Sequence, residues 1–235
     1  REDFRAGKVA TINDFITYNL DIEAFVQDWL ADLTDPQTLR AFYFECLKKL
    51  TTLDPTCGSG AFLFAAMNIL EPLYELCLDR MDALQDPKYP DFSNELARVS
   101  KHPNRAYFIY KSIIVHNLFG VDIMEEAVEI CKLRLFLKLV SQVETADRIE
   151  PLPDIDFNIR AGNTLVGYAT AEEVTAAASY GSLFSLDLEQ PIRDATRELD
   201  AFREMQTRLD LPPGVLTQAK ADVTRKLDDL DTTLN

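Results

Sequence analysis

Apolar positions in residues 12–50 recur three and four apart, as in Phe15, Ile22, Phe25, Val26, Trp29, Leu30 and Leu33, a spacing that predicts two or three short helices. Pro36 is placed to open one of them behind a cap at Thr34 or Asp35. Trp29 reads as a packing residue or as a surface on which a planar substrate could stack. The pattern then shortens. Residues 50–53 read as a strand, 54–60 as a glycine-bearing turn, and 61–67 as the start of a helix that continues to Met81, with Cys77 and Met81 as core positions. The turn-rich string DPKYPDF follows, and residues 104–115 predict a further helix. Residues 118–122 form a second short apolar run that ends in Asp122 and passes into a helix through Cys131, Leu135 and Leu139. Beyond PLPD, residues 155–159 read as a third strand and 160–167 as another glycine-punctuated tip. Residues 188–209 and 216–234 predict two helices joined by DLPPG, an antiparallel hairpin reached through a weakly ordered segment at 170–186. The charges on its outer faces, Arg193, Arg203 and Lys220 among them, suit solvent or a DNA-backbone or partner contact.

Composition narrows the function classes. The chain has 235 residues, is 47% apolar and carries a formal net charge of −15. At about 150 residues per domain, this length predicts one sizeable core with a satellite. An acidic average field opposes autonomous binding to a polyanion and leaves room only for local basic patches. The cysteines Cys46, Cys57, Cys77 and Cys131 stand too singly for a zinc knuckle, and only His102 and His116 are available beside them, so no metal site is expected. No run approaches about 18 uncharged apolar residues, and the first ten residues lack a signal core. A reduced cytoplasmic setting is the expectation. The chain starts at Arg1 and ends in a polar helical run, which predicts a piece of something longer.

The chemistry concentrates at the strand tips. In Asp54-Pro55-Thr56-Cys57-Gly58-Ser59-Gly60, the glycines allow positive φ and let backbone N–H groups approach a ligand closely. Neither a phosphate loop nor the dinucleotide fingerprint is present, since the first lacks its lysine and Leu63 stands at the last glycine position of the second. A nucleoside ligand without pyrophosphate fits better. A carboxylate at the second strand tip, Asp122, reads as a ribose acceptor or as a helix N-cap with Glu125 at capping-box spacing. The wide gap between Gly60 and Asp122 requires a helical insertion, placed at residues 68–116. Asn163 reads as an Asx turn or as a contact to the ligand's base.

These motifs resemble the adenine-specific DNA methyltransferases of the large single-chain restriction-modification and phage-defence type. The likeness covers most of residues 12–170. LDPTCGSGAFL is similar to that family's first methyl-donor motif, FGVDIMEEAVEICKLRL to its second, and IDFNIRAGNTLVG to the segment around its third. ITYNLDI and ILEPLYELCLDRM resemble the same subgroup. The resemblance implies a Rossmann-like α/β domain, incomplete, with a helical insertion and a C-terminal helical hairpin. Its parts would be a helical segment at 1–49, the core at 50–170, and a linker with the hairpin at 171–235. It implies S-adenosylmethionine as cofactor, surrounded by Asp54, Thr56, Cys57, Gly58, Ser59, Gly60 and Phe62. Asp122 would hold the ribose, Ile123 would pack on the adenine, and Asn163 would meet its exocyclic amine. Relatives more often have an acid at that last position, and an amide lacks its charge-assisted strength. The family's catalytic motif, Asn or Asp followed by Pro-Pro and an aromatic, is absent from these residues, and Pro212-Pro213 cannot replace it. No catalytic residue is therefore assigned. An N-terminal fragment is the implication, with double-stranded DNA gripped by other regions and restriction or defence-system partners conceivable. Two alternatives remain: an inactive scaffold with this fold, or a methyltransferase acting on RNA or protein.

Overall fold

The computed structural model describes residues 2–17, 19–145, 148–166, 170, 173, 189–209, 211–212 and 214–234. The approach segment expected at 170–186, apart from positions 170 and 173, and positions 210 and 213 of the expected hairpin turn lie outside the described residues. The chain divides into two compact units, Arg1–Thr52 with Ala61–Leu118, and Leu53–Gly60 with Phe119–Asn235.

The first unit is helical. Short helices α1 (Glu2–Arg5), α2 (Ile12–Thr17), α3 (Ile22–Ala31) and α4 (Pro36–Arg40) precede a π-helical stretch, Ala41–Leu47, and then α5 (Ala61–Ala83), α6 (Pro90–Lys101) and α7 (Arg105–His116) complete it. Asp35 caps α4, accepting from the amides of Gln37 and Thr38, with Pro36 in the first turn. In α5 the buried residues Leu63, Met67, Leu70, Tyr74, Cys77, Leu78 and Met81 repeat every three or four positions, so one long stripe packs on α3, α6 and α7. Helix α5 is long and apolar enough, by length and composition, to cross a membrane, a property that core helices share. Helix α7 begins behind Asn104, whose side chain accepts from Tyr107 N, and is buried from Tyr107 through His116. Trp29 meets Phe42 edge to face, with ring centroids 5.4 Å apart.

Two polar knots tie this unit. Tyr74 Oη donates to Asn117 Oδ1 at 2.9 Å, while Asn117 Nδ2 donates to the carbonyls of Leu47 and Leu50 at 2.8 and 2.7 Å. Tyr43 Oη donates to the buried Glu95 at 2.8 Å, and Arg98 and Lys48 approach the same carboxylate. Burial and the Glu95 charge raise the Tyr43 hydroxyl well above its ordinary value, keeping it a donor.

The second unit is a mixed α/β arrangement. Three short strands, β1 (Thr52–Asp54), β2 (Leu118–Asp122) and β3 (Ile159–Ala161), form a sheet in that order, with β2 and β3 parallel and Asp122 opposite Ala161. The third strand starts later than the apolar alternation of 155–159 predicts. Asp154 Oδ1 accepts from Asp156 N, and the amides of Asn158 and Ile159 both donate to Ile155 O, which folds that segment into a turn. Helix α8 (Glu125–Val140) buries Val128, Cys131, Leu135 and Leu139 and packs on β3.

Helices α9 (Glu189–Gln206) and α10 (Val215–Leu234) pack on each other. Several of the charges expected on their outer faces are instead engaged within the unit. Lys220 pairs with Asp154 and Asp156, and Lys132 joins Asp156 at 2.9 Å. The Arg203 guanidinium lies 4.7 Å from the Phe119 ring centroid, and Gln206 exchanges hydrogen bonds with the backbone of Asp154.

Candidate functional site

The candidate site is the set of loops at the C-terminal tips of the three strands, where open parallel sheets bind ligands. The first loop is a tight turn. Thr56 N donates to Asp54 Oδ1 at 3.1 Å and Gly60 N to Cys57 O at 2.7 Å, with Gly58 and Gly60 at φ of 50° and 87°. At Gly58 a Cβ would meet nothing within 4 Å, so the left-handed backbone alone selects glycine there.

Acceptors and side chains from the other two tips and from α8 stitch this turn in place. Cys57 N donates to Val121 O at 2.9 Å and Gly58 N to Asp122 Oδ2 at 2.8 Å. Asp122 Oδ1 accepts from Met124 N at 2.9 Å. Asp122 therefore does not cap α8; Met124 holds the cap position, without a side-chain bond. From the third tip, Thr164 Oγ1 donates to Pro55 O at 3.1 Å. Arg134 on α8 donates to Ser59 O at 2.6 Å and to Ser59 Oγ at 2.9 Å.

The electrostatics of the tips are uneven. The amides of Met124 and Gly58 hold the Asp122 carboxyl below the usual carboxylate range. Asp54 is only 8% exposed, and its Oδ2 has no hydrogen-bond partner among the described residues. A buried carboxylate oxygen in that state is costly unless a ligand group completes it. Burial, followed by the charges of Asp122 and Asp54, pushes the Cys57 thiol up, and burial pushes Cys131 beside it up to about 12. Both sulfurs are neutral thiols at physiological pH, so Cys57 contributes its backbone and bulk rather than a nucleophile.

Apolar side chains flank the polar turn. Ile123 is 71% exposed at the second tip, and Leu165 and Val166 are 94% and 75% exposed at the third. Asn163 forms the Asx turn that its neighbourhood suggested, Oδ1 accepting from Leu165 N at 3.0 Å. The strand tips thus gather Asp54, Thr56, Cys57, Gly58, Ser59, Gly60, Asp122, Ile123 and Asn163 within the second unit. Phe62 opens α5 in the first unit and is exposed. Arg134 and Thr164 escaped the sequence reading. Their signal was weak, since a cation mid-helix and a threonine beside a glycine are common in sequences of any function. Among the described residues no group of three or more metal-ligating side chains gathers.

A glycine turn pinned by the acid of the next strand tip marks this α/β unit with its small parallel sheet, and comparison with known proteins identifies its class. Residues 31–165 match the family described as MmeI, DNA-methyltransferase domain, and the chain belongs to that family. Among curated proteins it is similar to the putative type II restriction enzyme and methyltransferase RM.MjaORFECS2P of Methanocaldococcus jannaschii. That match is 38% identical over 152 residues and covers 60% of this chain and 11% of the relative. The type II restriction enzyme and methyltransferase RM.Eco57I of Escherichia coli is 30% identical over 117 residues, 48% of this chain and 11% of the relative. The aligned part is thus a small share of either full-length protein. No solved structure matches the chain.

Proposed function

We propose that the chain is the S-adenosylmethionine-binding part of a DNA methyltransferase that modifies adenine at N6, built on a Rossmann-like sheet. The observation that carries this reading is the turn 54–60, fastened to the tips of β2 and β3 and holding a buried carboxylate oxygen without a partner. Family membership supports a methyl donor, and the similarity of the quoted motifs to adenine-specific enzymes supports the base.

The donor set suits this cofactor. Asp54 offers an acceptor to its ammonium group, and Asp122, already ionised and fixed by two amides, offers one to the ribose hydroxyls. Ile123, with Leu165 and Val166 at the neighbouring tip, supplies apolar surface for a purine. Thr56, Cys57, Gly58, Ser59 and Gly60 would line the amino-acid end, and Asn163 would face the purine's exocyclic amine. When bound, S-adenosylmethionine supplies a methyl group on a positively charged sulfur. The chain's own residues bind and orient that molecule, and we assign none of them to the transfer step. In the same reading the parts are 1–49, 50–170 with an insertion at 68–116, and 171–235. The protein works in the cytoplasm, and double-stranded DNA is gripped by regions outside this chain, in keeping with the charge of −15. Restriction-system partners suit a chain similar to type II restriction enzymes and methyltransferases, and defence-system partners belong to the same reading.

Isothermal titration of the 235-residue chain with S-adenosylmethionine and S-adenosylhomocysteine tests the claim. Saturable one-site binding of both is expected. A folded chain that takes up neither at millimolar ligand contradicts it.

A further inference from the structure

The tips are polar in a graded way. Asp54 and Asp122 put two carboxylates at the start of the turn and at the second tip, whereas the far end, at Ser59, carries the Arg134 guanidinium. One Arg134 nitrogen, Nη1, donates to both the carbonyl and the hydroxyl oxygen of Ser59, at 2.6 and 2.9 Å. A serine hydroxyl that accepts from a guanidinium keeps its own proton to give away. Ser59 is exposed, so that proton is available to a ligand.

We propose that Arg134 is a positioning residue that commits the Ser59 hydroxyl to donation toward an anionic ligand group, namely the carboxylate of the cofactor's amino-acid end. The inference rests on the donor-binding reading above and adds to it the group that recognises this carboxylate. Asp54 and Asp122 cannot serve, because like charge repels the carboxylate. The ligand's ammonium and carboxylate share one carbon, so an acceptor at Asp54 and a cation-backed donor at Ser59 on the same turn suit that end together.

The test compares two ligands on the 235-residue chain: S-adenosylhomocysteine, which has the amino-acid carboxylate, and its decarboxylated analogue, which keeps the ammonium and lacks only the carboxylate. Arg134→Ala should weaken S-adenosylhomocysteine roughly tenfold or more, the range of a lost charge-assisted hydrogen bond. Binding of the decarboxylated analogue should stay within about twofold of wild type, the scale on which unrelated changes usually fall. Ser59→Ala should show the same selectivity, and the double variant should be no weaker than Arg134→Ala alone, because the two residues act as one unit. Equal losses on both ligands would mean that Arg134 merely holds the turn together, and unchanged binding of both would mean that it does nothing; either result overturns the proposal. Additive losses in the double variant overturn it as well. If the wild-type chain binds neither ligand, the donor-binding reading itself fails and takes this inference with it. Wild-type binding with unselective variants discards the inference alone.

Discussion

Gly58 shows how one backbone angle constrains the site. Its φ of 50° is unfavourable for any residue with a Cβ, yet there is open space where that Cβ would stand. Gly58→Ala should therefore cost about 1–2 kcal/mol from backbone strain alone, and a melting midpoint lower by several degrees checks it. Unchanged stability would mean that the turn relaxes without harm. Asp122 carries a second residue-scale prediction. Its carboxyl is lowered by the amides of Met124 and Gly58, so the stability it lends is present above its unfolded value and is lost as pH falls through the lowered, folded value. Its contribution should thus be constant from neutral pH down to the ordinary carboxylate range and fade below it. Affinity for S-adenosylhomocysteine measured over that span should be flat as far as Asp122 is concerned, whereas Asp122→Asn should lower it at every pH, by roughly tenfold.

At the level of elements, Asn117 is the clearest tie in the first unit. Its side chain satisfies the carbonyls of Leu47 and Leu50 and the hydroxyl of Tyr74, and its own carbonyl accepts from Thr52 N at 2.7 Å. Asn117→Ala leaves several buried groups unpaired and should cost roughly 2–4 kcal/mol, whereas Tyr74→Phe removes one donor and should cost about 1 kcal/mol. Denaturant unfolding of both variants decides it; equal, small losses would mean that water satisfies the carbonyls.

The elements also mark how far sequence alone could reach. The cap of α4 at Asp35, one of the two positions the pattern offered, the helix over 104–115, the core positions Cys77 and Met81 of α5 and the strand 118–122 follow from local chemistry and lie where the pattern puts them. Residues 50–53 and 155–159 carry the right apolar content but start their strands late. Leu50 N still bonds back to Cys46 O, and Ile155 O gathers two amides into a turn, competition that periodicity does not register. The π-helical stretch 41–47 has no sequence signature at all. In the site, the glycine turn and Asp122 were legible because chemistry needs those residue types there. The link of Arg134 to Ser59 spans 75 positions, and only the fold brings them together.

For the whole molecule, the acidic charge acquires a definite meaning. Part of the carboxylate excess is used internally, as where Asp154 and Asp156 hold Lys220 and Lys132 beside the last two helices. Asp122 and Asp54 face the strand-tip loops, where an organic zwitterion suits them better than a phosphate backbone. Membership of the MmeI DNA-methyltransferase-domain family places this chemistry in proteins whose curated relatives are far longer than the chain, with 11% of each aligned. The central claim is that one small-molecule site lies at the three strand tips. Amide chemical-shift mapping of the chain with S-adenosylhomocysteine tests it most directly. The account predicts saturable shifts clustered at Gly58, Ser59, Gly60, Ile123 and Leu165, while α9 and α10 stay still. Shifts confined to the two C-terminal helices, or none at saturating ligand, would contradict it.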